Sequence, residues 1–220
     1  MSKAMRGKSA SNRLAPEKEP APHVKTLKDL IAAEHACRRC PLYRDATQVV
    51  PGEGPGHATM MMVGEQPGDQ EDIAGHPFVG PAGRMLDRAI VEAGIDRGRV
   101  FVTNAVKHFK FEPRGKRRLH KRPNAYEIER CRWWLDLERA IVKPSLIVAL
   151  GATAARSLYG RTVTINKLRG TLQTLEDGAR VLVTMHPSSL LRSRDDADRR
   201  AKYRDFVADL ELAARILESR

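Results

Sequence analysis

No apolar run in the sequence approaches the ~20 residues that a membrane-spanning helix needs, so no membrane partner is expected. Cysteine is scarce. There are three, an odd number, and two of them are spaced C-x-x-C. No export signal is legible: Met1 to Pro22 is basic and rich in Ser, Ala and Pro, without an apolar core. Metal binding or redox chemistry is therefore expected of the cysteines rather than a disulfide framework, and the chain is expected in the bacterial cytosol. A phosphate-binding G-x-x-x-x-G-K-S/T loop is absent, and the glycines do not fit G-x-G-x-x-G, which argues against a nucleotide-binding enzyme. No internal repeat is found.

Acidic residues are also in deficit. Lys and Arg number 39 against 27 Asp and Glu, a net charge of +12. Such an excess favours a polyanionic partner, because each cation on a phosphate releases counterions. The 220 residues suffice for one domain with a full core. A disordered basic tail is expected over 1–25 and a single domain over 26–220.

Apolar runs alternate with helical spacing. Strands are expected at about Thr59–Val63, Val100–Val106, Leu146–Leu150 and Val181–Thr184. Helices are expected at Thr26–Ala36, Arg84–Ala93, from a cap at Asn124 to about Val142, at Ala152–Tyr159 and at Asp196–Leu217. The alternation predicts an α/β fold of three αβα layers around a mostly parallel four-stranded sheet. Gly64-Glu65-Gln66-Pro67-Gly68-Asp69 follows the first strand, at the carboxyl end where such sheets bind ligands. Gln70–Gly83 reads as a polar loop, and Lys107–Arg122 as a strongly basic loop. The C-x-x-C pair with a third cysteine admits a zinc site of the Cys3His kind.

Four segments in order carry a resemblance: Gly64-Glu65-Gln66-Pro67-Gly68, Pro77-Phe78-Val79-Gly80-Pro81-Ala82-Gly83, Thr103-Asn104-Ala105-Val106-Lys107 and His186-Pro187-Ser188. Together they resemble the uracil-DNA glycosylase superfamily, in particular its iron–sulfur family 4 type, from about Cys37 to Arg192. Two departures, the insertion Lys116-Arg117-Arg118-Leu119-His120-Lys121 and Gln66 in place of the usual Ala, are similar to the UdgX branch. That branch cleaves uracil from DNA and stays attached to the abasic sugar through the insertion's histidine.

The resemblance implies a DNA-repair hydrolase, limited to a single turnover where the adduct persists, acting as a monomer on uracil in single- or double-stranded DNA. It implies a 4Fe–4S cluster held by Cys37, Cys40, His108 and Cys131, with His108 standing where family 4 has a cysteine. Imidazole replaces thiolate on iron in Rieske centres too. A base must leave the stack before its glycosidic bond can be cut. Phe78 is then placed to stack on it, Asn104 to pair with O4 and N3–H of uracil while disfavouring cytosine, and His186 to donate to O2 as charge develops. Gln66 is expected to position the uracil or the loop. His120 would add to C1′, with Glu65 orienting the ring and accepting its proton. Lys116, Arg117, Arg118, Lys121 and Arg122 suit backbone phosphates. Ser188, Ser189 and Arg192 suit a second phosphate contact, with Leu190 or Leu191 as an apolar wedge. Asp69, Glu71 and Asp72 rank below Glu65 as catalytic acids, and Trp133 and Trp134 read as core. Two other readings stay open: a glycosylase that turns over, with His120 merely on a phosphate, and a non-catalytic, metal-stabilised binder of damaged or single-stranded DNA.

Overall fold

The computed structural model describes residues 24–219. The expected basic tail, apart from Val24 and Lys25, lies outside the described residues.

Five strands form one sheet in the order β2-β1-β5-β7-β6: β1 (Met60–Gly64), β2 (Val100–Asn104), β5 (Leu146–Leu150), β6 (Leu172–Thr174) and β7 (Arg180–Thr184). All neighbours are parallel except the β6–β7 pair. The expected four-stranded parallel core is present, and the fifth strand is an addition at the edge. Three residues of mixed polarity carry no period-2 signal, which is why β6 has no mark in the sequence.

The strands are buried on both faces, as helix-covered parallel strands must be. Alternation assigns the two sides. Met60, Met62, Val100, Val102, Val148 and Leu182 face α3 (Pro81–Glu92) and α7 (Asp196–Glu218), through Leu86, Ile90, Phe206 and Leu210. Met61, Val63, Phe101, Ile147 and Val183 face α4 (Ala125–Val142) and α5 (Ala152–Tyr159), through Leu135, Ala154 and Leu158. A third cluster joins α1 (Leu27–His35) to α4 and contains Cys37, Cys40, Cys131 and Trp134, with Trp133 packed against it. This is the core role expected of the tryptophans.

Two expected loops contain regular structure. A short helix, α2 (Asp69–Ala74), lies inside the polar loop. The basic loop is an antiparallel hairpin, β3 (Phe111–Arg114) and β4 (Arg117–His120), with Arg114 opposite Arg117 and Phe111 opposite His120. Its two-residue turn puts Gly115 at φ +59° in the first turn position, where glycine suits such hairpins. Two adjacent basic residues and a proline hid this alternation in the sequence.

Among the described residues, one ion pair is fully buried. Lys107 Nζ lies 2.7 Å from Glu138 Oε1, and Glu138 also accepts bonds from Thr103 Oγ1 and the Gly52 N–H. Burial opposes the ammonium charge, but Glu138 and Glu34 outweigh it and hold Lys107 protonated. The pair fastens the end of β2 to α4. Removing one partner strands the other charge in the core, which typically costs 3–5 kcal/mol. Urea unfolding of Glu138→Gln should therefore show a loss of about 3 kcal/mol or more. A loss within ~0.5 kcal/mol, the range of ordinary surface changes, would mean that the pair does not anchor this strand.

Candidate active site

The register ends β1 and β2 together, with Gly64 opposite Asn104. Gly64 has to be glycine. A Cβ there would sit 2.3 Å from Asn104 Oδ1 and 2.7 Å from Phe78 Cζ. The missing side chain is the space in which the amide and the ring approach each other. Phe78 has φ +60°, rare for a bulky residue, so its loop must be held from outside. Two contacts do this. Gly83 lets α3 pass against the loop, where a Cβ would come within 1.6 Å of the Phe78 carbonyl oxygen. The buried Glu71 carboxylate accepts the Gly80 N–H at 2.7 Å and the Gly68 N–H at 3.0 Å. One side chain thus joins the loop after β1 to the loop bearing Phe78.

A cavity of about 780 Å³ lies at the carboxyl ends of the strands. Glu65, Gln66, Phe78, Asn104, His120, Arg122, His186, Ser188, Leu191 and Arg192 all border it. Segments far apart in sequence therefore converge on one cavity.

His186 follows β7 and enters the 3-10 turn Pro187–Arg192. Its Nδ1 accepts from the Ser188 N–H at 3.1 Å and lies 2.8 Å from Ser188 Oγ. Burial pulls its pKa down to about 4, against the nearby Glu65 and with help from Arg192 and His120. A neutral ring that accepts at Nδ1 carries its proton on Nε2 and can donate from there. Ser189 Oγ donates to the His186 carbonyl at 2.7 Å. The serines expected on phosphate thus make internal contacts, and Ser188 sets the His186 tautomer. Leu190 is core, whereas Leu191 is 47% exposed and lines the cavity, so only Leu191 is placed to act as a wedge.

On the opposite rim, the hairpin delivers His120. Its Nε2 lies 3.3 Å from Glu65 Oε1. Burial lowers its pKa, Glu65 opposes this, and Arg192 and Arg122 reinforce it. The other Glu65 oxygen accepts from Thr153 Oγ1 and lies 3.5 Å from Arg122 Nε. Gln66 is buried beneath the hairpin. Its Nε2 donates to the carbonyls of Lys110 (3.0 Å) and Lys121 (3.1 Å), and its Oε1 accepts the Lys110 N–H (3.2 Å). Both amide protons are spent there, so the expected side-chain contact to uracil gives way to the alternative, a clamp on the loop.

Arg118 also departs from expectation. It turns inward onto Asp69 (2.6 Å) and Asp72 (2.5 Å), with its guanidinium over the Phe109 and Phe111 rings. It holds the hairpin against α2 instead of presenting a cation to phosphate, and its two acids are structural partners. Lys116, Arg117, Lys121 and Arg122 remain exposed.

Cys37, Cys40 and Cys131 come together in one buried cluster. Cys131 Sγ accepts the Lys107 N–H at 3.2 Å, and Cys37 Sγ accepts from Trp134 Nε1 at 3.1 Å. Burial raises the Cys131 and Cys40 thiol pKa values. His108 is buried too, and burial pulls its pKa to about 4, leaving a neutral imidazole. Among the described residues, no group of three or more His, Cys, Asp or Glu side chains is placed to hold a metal ion. The expected ligand set is thus not assembled as a closed centre. Its donor chemistry, three buried sulfurs of which two receive N–H bonds and a buried neutral imidazole next to Lys107 in the chain, does fit a sulfur-rich group.

Glu71, ranked below Glu65 from the sequence, and Thr153, which the sequence does not single out, both support residues that line the cavity. Glu71 had a signal, since it stands at the capping-box position three residues after Gly68. Thr153 had none beyond its place in the first turn of a helix.

Fold and cavity together define a mostly parallel α/β protein whose strand-end cavity is lined by an aromatic ring, a side-chain amide, a carboxylate and two histidines. The Uracil DNA glycosylase superfamily model matches residues 51–211, and the chain belongs to that superfamily. It is 40% identical over 171 residues to the type-4 uracil-DNA glycosylase of Thermotoga maritima, covering 77% of this chain and 85% of that one. It is 39% identical over 163 residues to the type-4 enzyme of Pyrobaculum aerophilum (71% and 80%) and 31% identical over 175 residues to that of Archaeoglobus fulgidus (76% and 84%).

Two predictions test this geometry. Gly64→Ala should abolish binding of free uracil while leaving a cooperative melt; unchanged uracil binding by calorimetry would mean that Asn104 and Phe78 do not share the space above Gly64. The second concerns pH. His186 is held neutral down to about 4, whereas an unfolded histidine titrates near 6.5. Below pH 6.5 the unfolded chain takes up a proton that the folded chain refuses, so stability falls as pH drops from 6.5 towards 4. The loss of urea midpoint between pH 7 and pH 5 should be smaller in His186→Asn; an equal loss would place the pH dependence elsewhere.

Proposed function

We propose that this chain excises uracil from DNA and captures the resulting abasic deoxyribose on His120. The observation that supports capture is the position of His120 on the rim of the cavity that holds Asn104, Phe78 and His186, with Glu65 at its Nε2.

A nucleotide flipped into the cavity places its base against Phe78. Base–aromatic stacking contributes ~1–3 kcal/mol, offsetting part of the cost of leaving the helix. The Asn104 amide accepts from N3–H and donates to O4, a pattern that cytosine inverts. Nε2–H of His186 donates to O2. The C1′–N1 bond breaks with its electron pair going to uracil, and the donor stabilises the developing charge. The sugar becomes oxocarbenium-like. A neutral His120 ring offers a lone pair to C1′, forming the N–C bond, and its remaining N–H proton passes to Glu65. A water in the same place would give ordinary turnover. Arg122 and Arg192 border the cavity, and with the exposed Lys116, Arg117 and Lys121 they suit phosphates of either single- or double-stranded DNA. This chemistry belongs to DNA repair, with the chain in the cytosol beside the chromosome.

Cys37, Cys40, Cys131 and His108 would hold a 4Fe–4S cluster. Such a cluster supplies a rigid tie between the C-x-x-C segment, α4 and the root of the hairpin, and an imidazole ligand raises its potential. Anaerobically purified protein should be brown, with broad absorbance near ~400 nm and iron in excess of zinc. A colourless preparation with stoichiometric zinc would overturn the assignment.

The activity is tested with a labelled oligonucleotide carrying one uracil, boiled in SDS after mixing and run beside an alkali-treated aliquot. The wild type should give a slow band that survives boiling, and His120→Ser should lose that band while still releasing some uracil. Alkali-labile cleavage without a slow band would mean ordinary turnover. Neither signal would leave a DNA-binding module.

A further inference from the structure

Capture requires the Glu65 carboxylate to face His120, and Glu65 sits in the bend that follows β1. The support comes from elsewhere. Thr153 is the second residue of α5, only 4% exposed, and its Oγ1 donates to Glu65 Oε2. The opposite oxygen, Oε1, is the one 3.3 Å from His120 Nε2. The other neighbour of Oε2, Arg122, is 3.5 Å away, and its side chain is 72% exposed. No side chain caps the N-terminus of α5, and Gly151 and Ala152 at that end line the cavity. The carboxylate therefore lies at the positive end of a helix, a favourable place for negative charge, tied there by a buried hydroxyl. The hydroxyl is anchored on the sheet side of the cavity, and the histidine arrives from the hairpin side. Glu65 is the bridge between them.

We infer that Thr153 is a positioning residue for covalent capture. By holding one Glu65 oxygen it turns the other towards His120, and so sets how much abasic sugar is trapped on the histidine and how much is lost to water. This rests on the reading in which His120 is the nucleophile. Among the described residues, Thr153 makes no hydrogen bond to Asn104, His186 or Ser188, so uracil recognition and departure should depend on it far less than capture does.

Thr153→Val keeps the shape and removes the donor, and Thr153→Ser keeps the donor. Uracil release and adduct formation would be followed in parallel, in single-turnover reactions of the full chain with a uracil oligonucleotide across pH 5.5–8.5. Thr153→Val should form adduct about tenfold more slowly or worse, as expected for losing a hydrogen bond to a charged acceptor, while releasing uracil within about threefold of wild type. It should also yield more free abasic DNA. Thr153→Ser should restore the adduct rate and its pH profile. Equal adduct rates and pH profiles in wild type and Thr153→Val would overturn the inference. So would a slowing of release and capture by the same factor in both variants, which would mark a merely structural threonine. A wild type that forms no adduct would instead overturn the capture reading.

Discussion

The site depends on a side chain that is missing. Strands β1 and β2 run parallel in a register that ends Gly64 opposite Asn104, and only a glycine leaves room for the Asn104 amide and the Phe78 ring at the same point. The rest of the cavity is built to keep that space. Gly83 lets α3 run close beneath the strained Phe78 backbone, and Glu71 ties the Phe78 loop to the loop after β1. These contacts are largely buried, so the shape of the cavity is prepared before any ligand arrives. Such preorganisation lowers the cost of binding and directs donors to where charge develops.

The hairpin meets this frame as a separate module. It is attached by three unlike devices: the Gln66 amide on the carbonyls of Lys110 and Lys121, the Arg118 guanidinium on Asp69 and Asp72, and the stacking of Phe109 on Phe111. Each lies next to a residue of the cavity in sequence or in space. A histidine on a loose basic loop would sample many positions. On a clamped two-stranded ribbon it is held near one carboxylate, and proximity of that kind can account for a large share of a barrier.

Much of the frame was legible in the sequence. Leu146–Leu150 and Ala152–Tyr159 fall where apolar pattern and glycine stops put them, and the Asn124 cap starts α4 as expected. The convergence of Glu65, Phe78, Asn104 and His186 follows from strand ends in a parallel sheet. What stayed hidden was the direction of individual side chains. Arg118 and Arg117 look alike in a basic run, but pleating sends one inward to two acids and leaves the other in solvent. Gln66 and Glu71 read as polar loop residues, yet both spend their hydrogen bonds internally, Gln66 on the distant Lys110 and Lys121 and Glu71 on the N–H groups of Gly68 and Gly80. Periodicity reports which face is buried; it does not report which distant carbonyl a buried amide will find.

The central claim is that His120 itself becomes bonded to the sugar. Its most direct test is peptide mass spectrometry on protein that has reacted with a uracil oligonucleotide and then been digested with nuclease and protease. The account predicts an added abasic deoxyribose fragment on the peptide containing His120, with fragmentation placing it on that ring. An unmodified His120 beside free abasic DNA, or the same mass on another residue, would contradict it.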